Sequence, residues 1–208
     1  MVLALDLHSM EKKINASLGI KISLAMETQP LKREALTSEE HHRVNQFKSK
    51  SRQDSWLRGR GALQSLKYRD TPPIIFPNAR ASITHSQQVA IAAVTDDPSI
   101  LGLGIDLEVG RFPKPESVRF FLNEDERDWI TPFDESSAKM HRLRLWTVKE
   151  SLFKANTMKR ISLFHFRLEY PEKLTGKAAP YEMSYASFQV PGGYFSAAVL
   201  REAKERKM

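Results

Sequence analysis

Cysteine is absent from the 208 residues, which excludes disulfides, thiolate metal sites and a cysteine nucleophile. The same absence suits a reducing compartment, so the cytoplasm is the expected location. Long hydrophobic runs are also missing. Stretches such as residues 89–94 fall far short of the roughly 20 apolar residues of a membrane-spanning helix, and no membrane partner is expected. The opening residues 1–13 begin apolar but are broken by Asp6 and His8, with no basic stretch before them, and do not read as a signal peptide. Glycine is sparse, nine residues in all. No phosphate loop of the G-x-x-x-x-G-K-[ST] kind occurs, no G-x-G-x-x-G helix opening and no G-x-S-x-G elbow. Gly102-Leu103-Gly104 is expected instead to let a neighbour approach a strand closely.

What is present is charge and a sizeable apolar fraction. At 41% hydrophobic content the chain can bury one large core or two small ones, domains commonly running to about 100–200 residues. Lys and Arg number 32 against 25 Asp and Glu, a formal charge of +7. That balance favours anionic partners, whether phosphates, nucleic acid or acidic proteins.

Periodicity predicts a helix over residues 38–67, in which Trp56, Leu57, Arg60, Leu63 and Lys67 recur at helical spacing. Asp70-Thr71-Pro72-Pro73 ends it, and Pro77-Asn78 marks a further turn. Strands are predicted over 81–84 and 89–95, with a turn at 96–99 and another strand over 101–108. Asn123 and Glu126 form a capping-box pattern opening a helix, and a second helix is expected over about 138–156. Alternation over 164–170 predicts a strand, and a last strand precedes the charged tail. Ala92-Ala93-Val94 echoes Ala197-Ala198-Val199, hinting at two related α+β halves near 1–100 and 101–208.

On a strand, Asp106 and Glu108 point to one face. Two adjacent carboxylates repel unless a cation or basic neighbours hold both ionised, and hard divalent cations favour such oxygen ligands. Alone, the pair reads more readily as a solvent-facing edge strand. In Leu145-Trp146-Thr147-Val148-Lys149-Glu150-Ser151-Leu152-Phe153-Lys154-Ala155, the residues Leu145, Val148, Leu152 and Ala155 form a core stripe. Glu150 and Lys154, at i and i+4, share a face off that stripe. Three carboxylates and a lysine suit magnesium bound near phosphate. Lys48, Lys50, Arg52, Arg58 and Arg60 form a basic cluster suited to further phosphate oxygens or to a solvated helix face. His85, between Thr84 and Ser86 at a strand end, is a candidate phosphate contact.

Taken together, Gly104-Ile105-Asp106-Leu107-Glu108 and Trp146-Thr147-Val148-Lys149-Glu150-Ser151-Leu152-Phe153-Lys154, with Ile83-Thr84-His85-Ser86 upstream, resemble the signatures of 4'-phosphopantetheinyl transferases of the surfactin-synthetase-activating type. The resemblance covers roughly residues 52–154 and includes Phe120-Phe121-Leu122-Asn123-Glu124-Asp125-Glu126-Arg127. It implies an α+β pseudo-dimer of two similar α/β halves, with the active site in the cleft between them. The N-terminal half, 1–100, would carry coenzyme A contacts, and 101–208 the metal site and catalytic helix. It also implies transfer of the phosphopantetheine arm of coenzyme A to a serine of an acidic apo carrier protein, acyl or peptidyl, by a monomer. Asp106, Glu108 and Glu150 match the family's ligands for magnesium, with manganese an alternative, and Glu150 is also the candidate base for the serine. Lys154 matches the pyrophosphate contact, and His85, Thr84 and Arg52 match contacts to coenzyme A. The family's usual Gly-Lys-Pro reads Asp70-Thr71-Pro72 here, leaving Arg69 or Arg80 as substitutes. Two rival readings remain: a magnesium-dependent nucleotide pyrophosphate hydrolase, and a basic nucleic-acid-binding module, which leaves the carboxylates unexplained.

Overall fold

The computed structural model describes residues 4–66, 76, 78–157, 161–169, 173, 175–179 and 182–202. Its helices are α1 (Leu7–Leu18), α2 (Ser38–Asn45), α3 (Lys50–Ser65), α4 (Glu124–Asp128) and α5 (Glu135–Ala155). Its strands are β1 (Ser23–Glu27), β2 (Ala81–Ser86), β3 (Val89–Val94), β4 (Ile100–Val109), β5 (Arg167–Leu168), β6 (Thr175–Ala179), β7 (Met183–Val190) and β8 (Gly193–Arg201). They form an antiparallel three-stranded sheet, β1-β3-β2, and an antiparallel five-stranded sheet, β4-β8-β7-β6-β5. This is a mixed α and β architecture. The first sheet draws only on residues before 95 and the second only on residues after 99.

The alternation in β4 sorts its two faces. Leu103, Ile105 and Leu107 enter a core with Ile14 of α1, Ile22, Ile91 of β3 and Phe195 and Val199 of β8. Burying each such side chain contributes about 1.5–3 kcal/mol. Gly102, Gly104, Asp106 and Glu108 face the other way. A Cβ at Gly102 would lie 1.8 Å from the Ala155 carbonyl oxygen, and one at Gly104 would lie 1.9 Å from that of Ser151. Only hydrogen in place of a side chain lets the last turns of α5 rest on this strand. Leu145, Val148, Leu152 and Ala155 of α5 sink into a second core with Phe121, Leu122 and Tyr185.

Among the described residues, the edge of β4 away from β8 pairs with no strand through its backbone. The N–H groups of Ile105, Leu107 and Val109 donate instead to the hydroxyls of Ser82, Thr84 and Ser86, each at 3.0 Å. Gln87 at the β2–β3 turn, with a left-handed φ of 53°, extends its amide to the Val109 carbonyl at 3.3 Å. Side chains of β2 thus satisfy an edge that would otherwise leave buried donors unpaired.

Two expectations are corrected. The single helix over 38–67 is two helices, because Thr37 and Glu40 close a capping box at the first and Ser49 accepts from Arg52 N–H to start the second. The strand over 164–170 shrinks to β5, preceded by a 3-10 turn at Leu163–His165. There Glu126 takes the Leu168 N–H at 2.9 Å, a distant partner that local alternation does not register. The Asn123–Glu126 capping box forms as expected, but its helix lasts five residues. Lys67, the breaks at 70–73 and 77, and Tyr170 lie outside the described residues.

A buried ion pair ties α5 to α4. Lys149 and Glu126, both fully buried, meet at 2.7 Å, and Lys149 also donates to the Phe166 carbonyl. Burial lowers the lysine pKa, opposed by the Glu126 charge. Lys149 therefore anchors the helix that carries Glu150, on the side away from the chemistry.

Candidate active site

Three elements converge where α5 crosses β4. Asp106 is 5% exposed, and its Oδ1 accepts from Lys154 Nζ at 2.7 Å and from Thr84 Oγ1 at 3.1 Å. Lys154 Nζ also donates to the Ile105 carbonyl at 3.0 Å. The lysine thus reaches across from α5 to the strand. Glycines 102 and 104 make that reach short enough.

Glu108 and Glu150 are each partly buried and lie within the same field. The Glu108 carboxyl is pushed up to about 7 by burial first and then by the Asp106 charge, with Glu150 adding to the effect while Arg111 and Lys154 oppose it. Glu150 is raised by burial, with Lys154 lowering it and Asp106 raising it. The three carboxylates and the lysine therefore form one electrostatic unit.

His85 stands at the opposite lip, on β2. A Cβ at Gly59 of α3 would lie 2.9 Å from its Nε2, so the ring lies close against the helix and donates to the Ser55 carbonyl. It keeps an exposed edge. Even so, crowding by the protein, then Lys154 and more weakly Arg58, hold its pKa at about 4. Neutral imidazole is the form present near pH 7.

A cavity of about 750 Å³ adjoins this lip, lined by Trp56, Ile83, His85, Leu103, Phe153 and Lys154 among others. Most of its wall is apolar, with His85 and Lys154 as polar groups at one side. None of the three carboxylates lines it.

A divalent cation fits the carboxylate group by one specific observation. Asp106 Oδ2 is sealed from solvent and has no hydrogen-bond partner, an arrangement that costs free energy unless something cationic meets it. Among the described residues, no three His, Asp or Glu side chains are gathered into a ready metal cage. Magnesium commonly takes only one or two protein carboxylates and completes its shell with phosphate oxygens and water.

Residues 102–186 match the model of the 4'-phosphopantetheinyl transferase superfamily. No curated protein matches the chain. The match points to phosphopantetheinyl transfer in general. Within the matched segment lie Asp106, Glu108, Glu150 and Lys154, together with the buried Lys149 and Glu126. Thr84, His85 and Arg52 precede it. Among the described residues no helix is long and apolar enough to cross a membrane.

Outside the matched segment, the structure redistributes the basic cluster on α3. Lys50 pairs with Asp54 at 2.6 Å on the surface, and Arg60 is buried against Glu40. Arg52 is exposed in the first turn, and Arg80 is exposed just before β2. Within this cluster the cation whose charge reaches His85, more weakly than that of Lys154, is Arg58, and its Nε is buried without a partner. The signal for it was helical spacing: Ser55, Arg58 and Gly59 share one face of α3. Thr84, matched by resemblance to a coenzyme A contact, is 1% exposed and spends its hydroxyl within the protein. Arg69 lies outside the described residues.

The shifts at Glu108 and His85 set an expectation about pH. A carboxyl raised above its ordinary 4.5, as Glu108 is, stabilises the fold while protonated. That contribution is present below the unfolded value and lost as pH rises through about 7. His85, depressed from 6.5 to about 4, runs the other way, its contribution present above 6.5 and lost as pH falls toward 4. Comparing wild type with Glu108→Gln isolates the first effect. In EDTA, the wild-type melting temperature should fall relative to the variant between about pH 5 and pH 8, and magnesium should reverse the fall. A difference that stays flat across that range would contradict the assigned environment of Glu108.

Proposed function

We propose that the protein moves the 4'-phosphopantetheine arm of coenzyme A onto a serine hydroxyl of an apo carrier protein, as a transferase of the surfactin-synthetase-activating type. The serine oxygen forms a bond to the nearer phosphorus of the pyrophosphate, the bridging P–O bond breaks, and adenosine 3',5'-bisphosphate leaves. What carries this reading is the juxtaposition, inside the matched segment, of the unpartnered Asp106 Oδ2 with Lys154 and the two raised carboxyls.

Asp106, Glu108 and Glu150 would hold magnesium, or manganese in its place, and the bound ion would neutralise charge on the pyrophosphate. Lys154, already drawn to Asp106, supplies a fixed positive charge beside the pyrophosphate. Glu150, its pKa raised by burial, would take the serine proton, directly or through a water. The apolar cavity receives the adenosine of coenzyme A, with His85 and Arg58 toward its phosphates and Arg52 toward the outlying one. A phosphate beside His85 favours the charged imidazole, so binding draws a proton onto the ring. The surplus of basic residues favours encounter with an acidic carrier, and association weakens as salt rises.

The test is intact-mass measurement of several apo carrier domains incubated with the protein, magnesium and coenzyme A. The expected result is a mass increase equal to the phosphopantetheine arm on at least one carrier, dependent on magnesium. Nucleotide release without carrier modification would favour the hydrolase, and neither product would sink both readings.

A further inference from the structure

We propose that Thr84 is a positioning residue, whose hydroxyl ties Asp106 to the edge of β4 and leaves Oδ2 as the oxygen presented to the cation. The inference rests on the proposed metal site, and it assigns Thr84 a part that differs from contact with coenzyme A.

The three hydroxyls of β2 look alike in sequence, spaced two apart, and each accepts one N–H from β4 at 3.0 Å. Ser82 and Ser86 serve as rungs. Thr84 serves as a rung and does one thing more. A hydroxyl has a single proton to give, and Thr84 gives it to Asp106 Oδ1 at 3.1 Å while accepting from Leu107 N–H. Its one donor and one of its two acceptor positions are therefore occupied. A β-branched side chain has few χ1 choices, which makes threonine a stiffer strut than serine at this rung.

The consequence falls on Asp106. Its Oδ1 receives two donors, Thr84 and Lys154, and its Oδ2 receives none although it is buried. Were the carboxylate free to turn about χ2, neither oxygen would keep a fixed direction. Two donors from different elements, one on β2 and one on α5, prevent that. At 1% exposure Thr84 cannot itself meet a substrate. It acts through Asp106, across 22 residues of sequence and from the other sheet.

The test compares variants by manganese binding, followed by the paramagnetic resonance signal of the ion. Thr84→Val keeps the shape and removes the hydroxyl. Its manganese affinity should fall about 10- to 100-fold, the usual cost of losing a group that orients a metal ligand. Ser86→Ala also orphans one N–H of β4, so its melting temperature should fall comparably, yet its manganese affinity should stay at the wild-type level. Thr84→Ser, which restores the hydroxyl, should recover affinity, and excess magnesium should restore transfer by Thr84→Val. If valine does not fold, Thr84→Cys, a weaker donor of similar size, takes its place with the same expected loss. Equal affinity in wild type and Thr84→Val or Thr84→Cys would overturn the positioning role alone, as would Ser86→Ala losing as much affinity. A wild type that binds no manganese would overturn both this role and the proposed metal site.

Discussion

Asp106→Asn should abolish carrier modification, with a fall on the order of 10²–10³-fold or more, while the protein stays folded. The argument turns on which oxygen is replaced. Asparagine can keep its own oxygen where Oδ1 accepts from Lys154 and Thr84. Its NH2 then stands where Oδ2 is buried without a partner. An acceptor facing a cation becomes a pair of donors facing it, and a binding position becomes a repulsive one. Stability suffers less, because the Lys154 side chain is 29% exposed and water can serve the charge it keeps. Glu150→Gln should lose transfer comparably, since it removes both a carboxylate and the candidate base. Intact-mass assays for activity and thermal melts for folding separate the two effects. Folded variants as active as wild type would mean that these carboxylates do not form the site.

Gly104→Ala should harm the protein through packing instead of charge. The added Cβ would lie 1.9 Å from the Ser151 carbonyl oxygen and 2.6 Å from the Ala155 nitrogen. Neither atom can rotate aside, because both belong to the backbone of α5. The helix must back away from β4, at a cost of about 1–3 kcal/mol for overpacking. For a chain of this size that lowers the melting temperature by about 2–4 °C per kcal/mol. Transfer should fall further than the folded fraction, since Lys154 reaches Asp106 and Ile105 only from the present helix position. A melting temperature and activity both unchanged would show that α5 does not rest on the strand in this way.

Local pattern made some of this legible. The faces of β4, the core stripe of α5 and the capping box at Asn123 depend on neighbours within a few residues, and each appears where periodicity puts it. Other parts depend on partners far along the chain. Lys149 reads as one more charge on a helix until Glu126, 23 residues earlier, is seen opposite it inside the core. The alternation over 164–170 reads as a strand until the Glu126 carboxylate is seen holding Leu168. Strand β7 went unanticipated because its inward residues include Ser187, bonded to Ser196 of β8 at 3.0 Å. A small polar residue there breaks the apolar alternation by which a strand is recognised.

By itself, the sequence determined that Asp106 and Glu108 share one face of a strand, and that Glu150 and Lys154 share one face of a helix. Spacing along a strand and around a helix is enough for that. Only the tertiary structure decided how those pairs meet. It brought Lys154 onto Asp106, drew Thr84 inside as a strut, and put Arg58 beside His85. The reason is physical: these outcomes depend on how closely two backbones approach at Gly102 and Gly104, and on hydroxyls bridging two sheets more than twenty residues apart. Contacts of that kind leave no period in the chain.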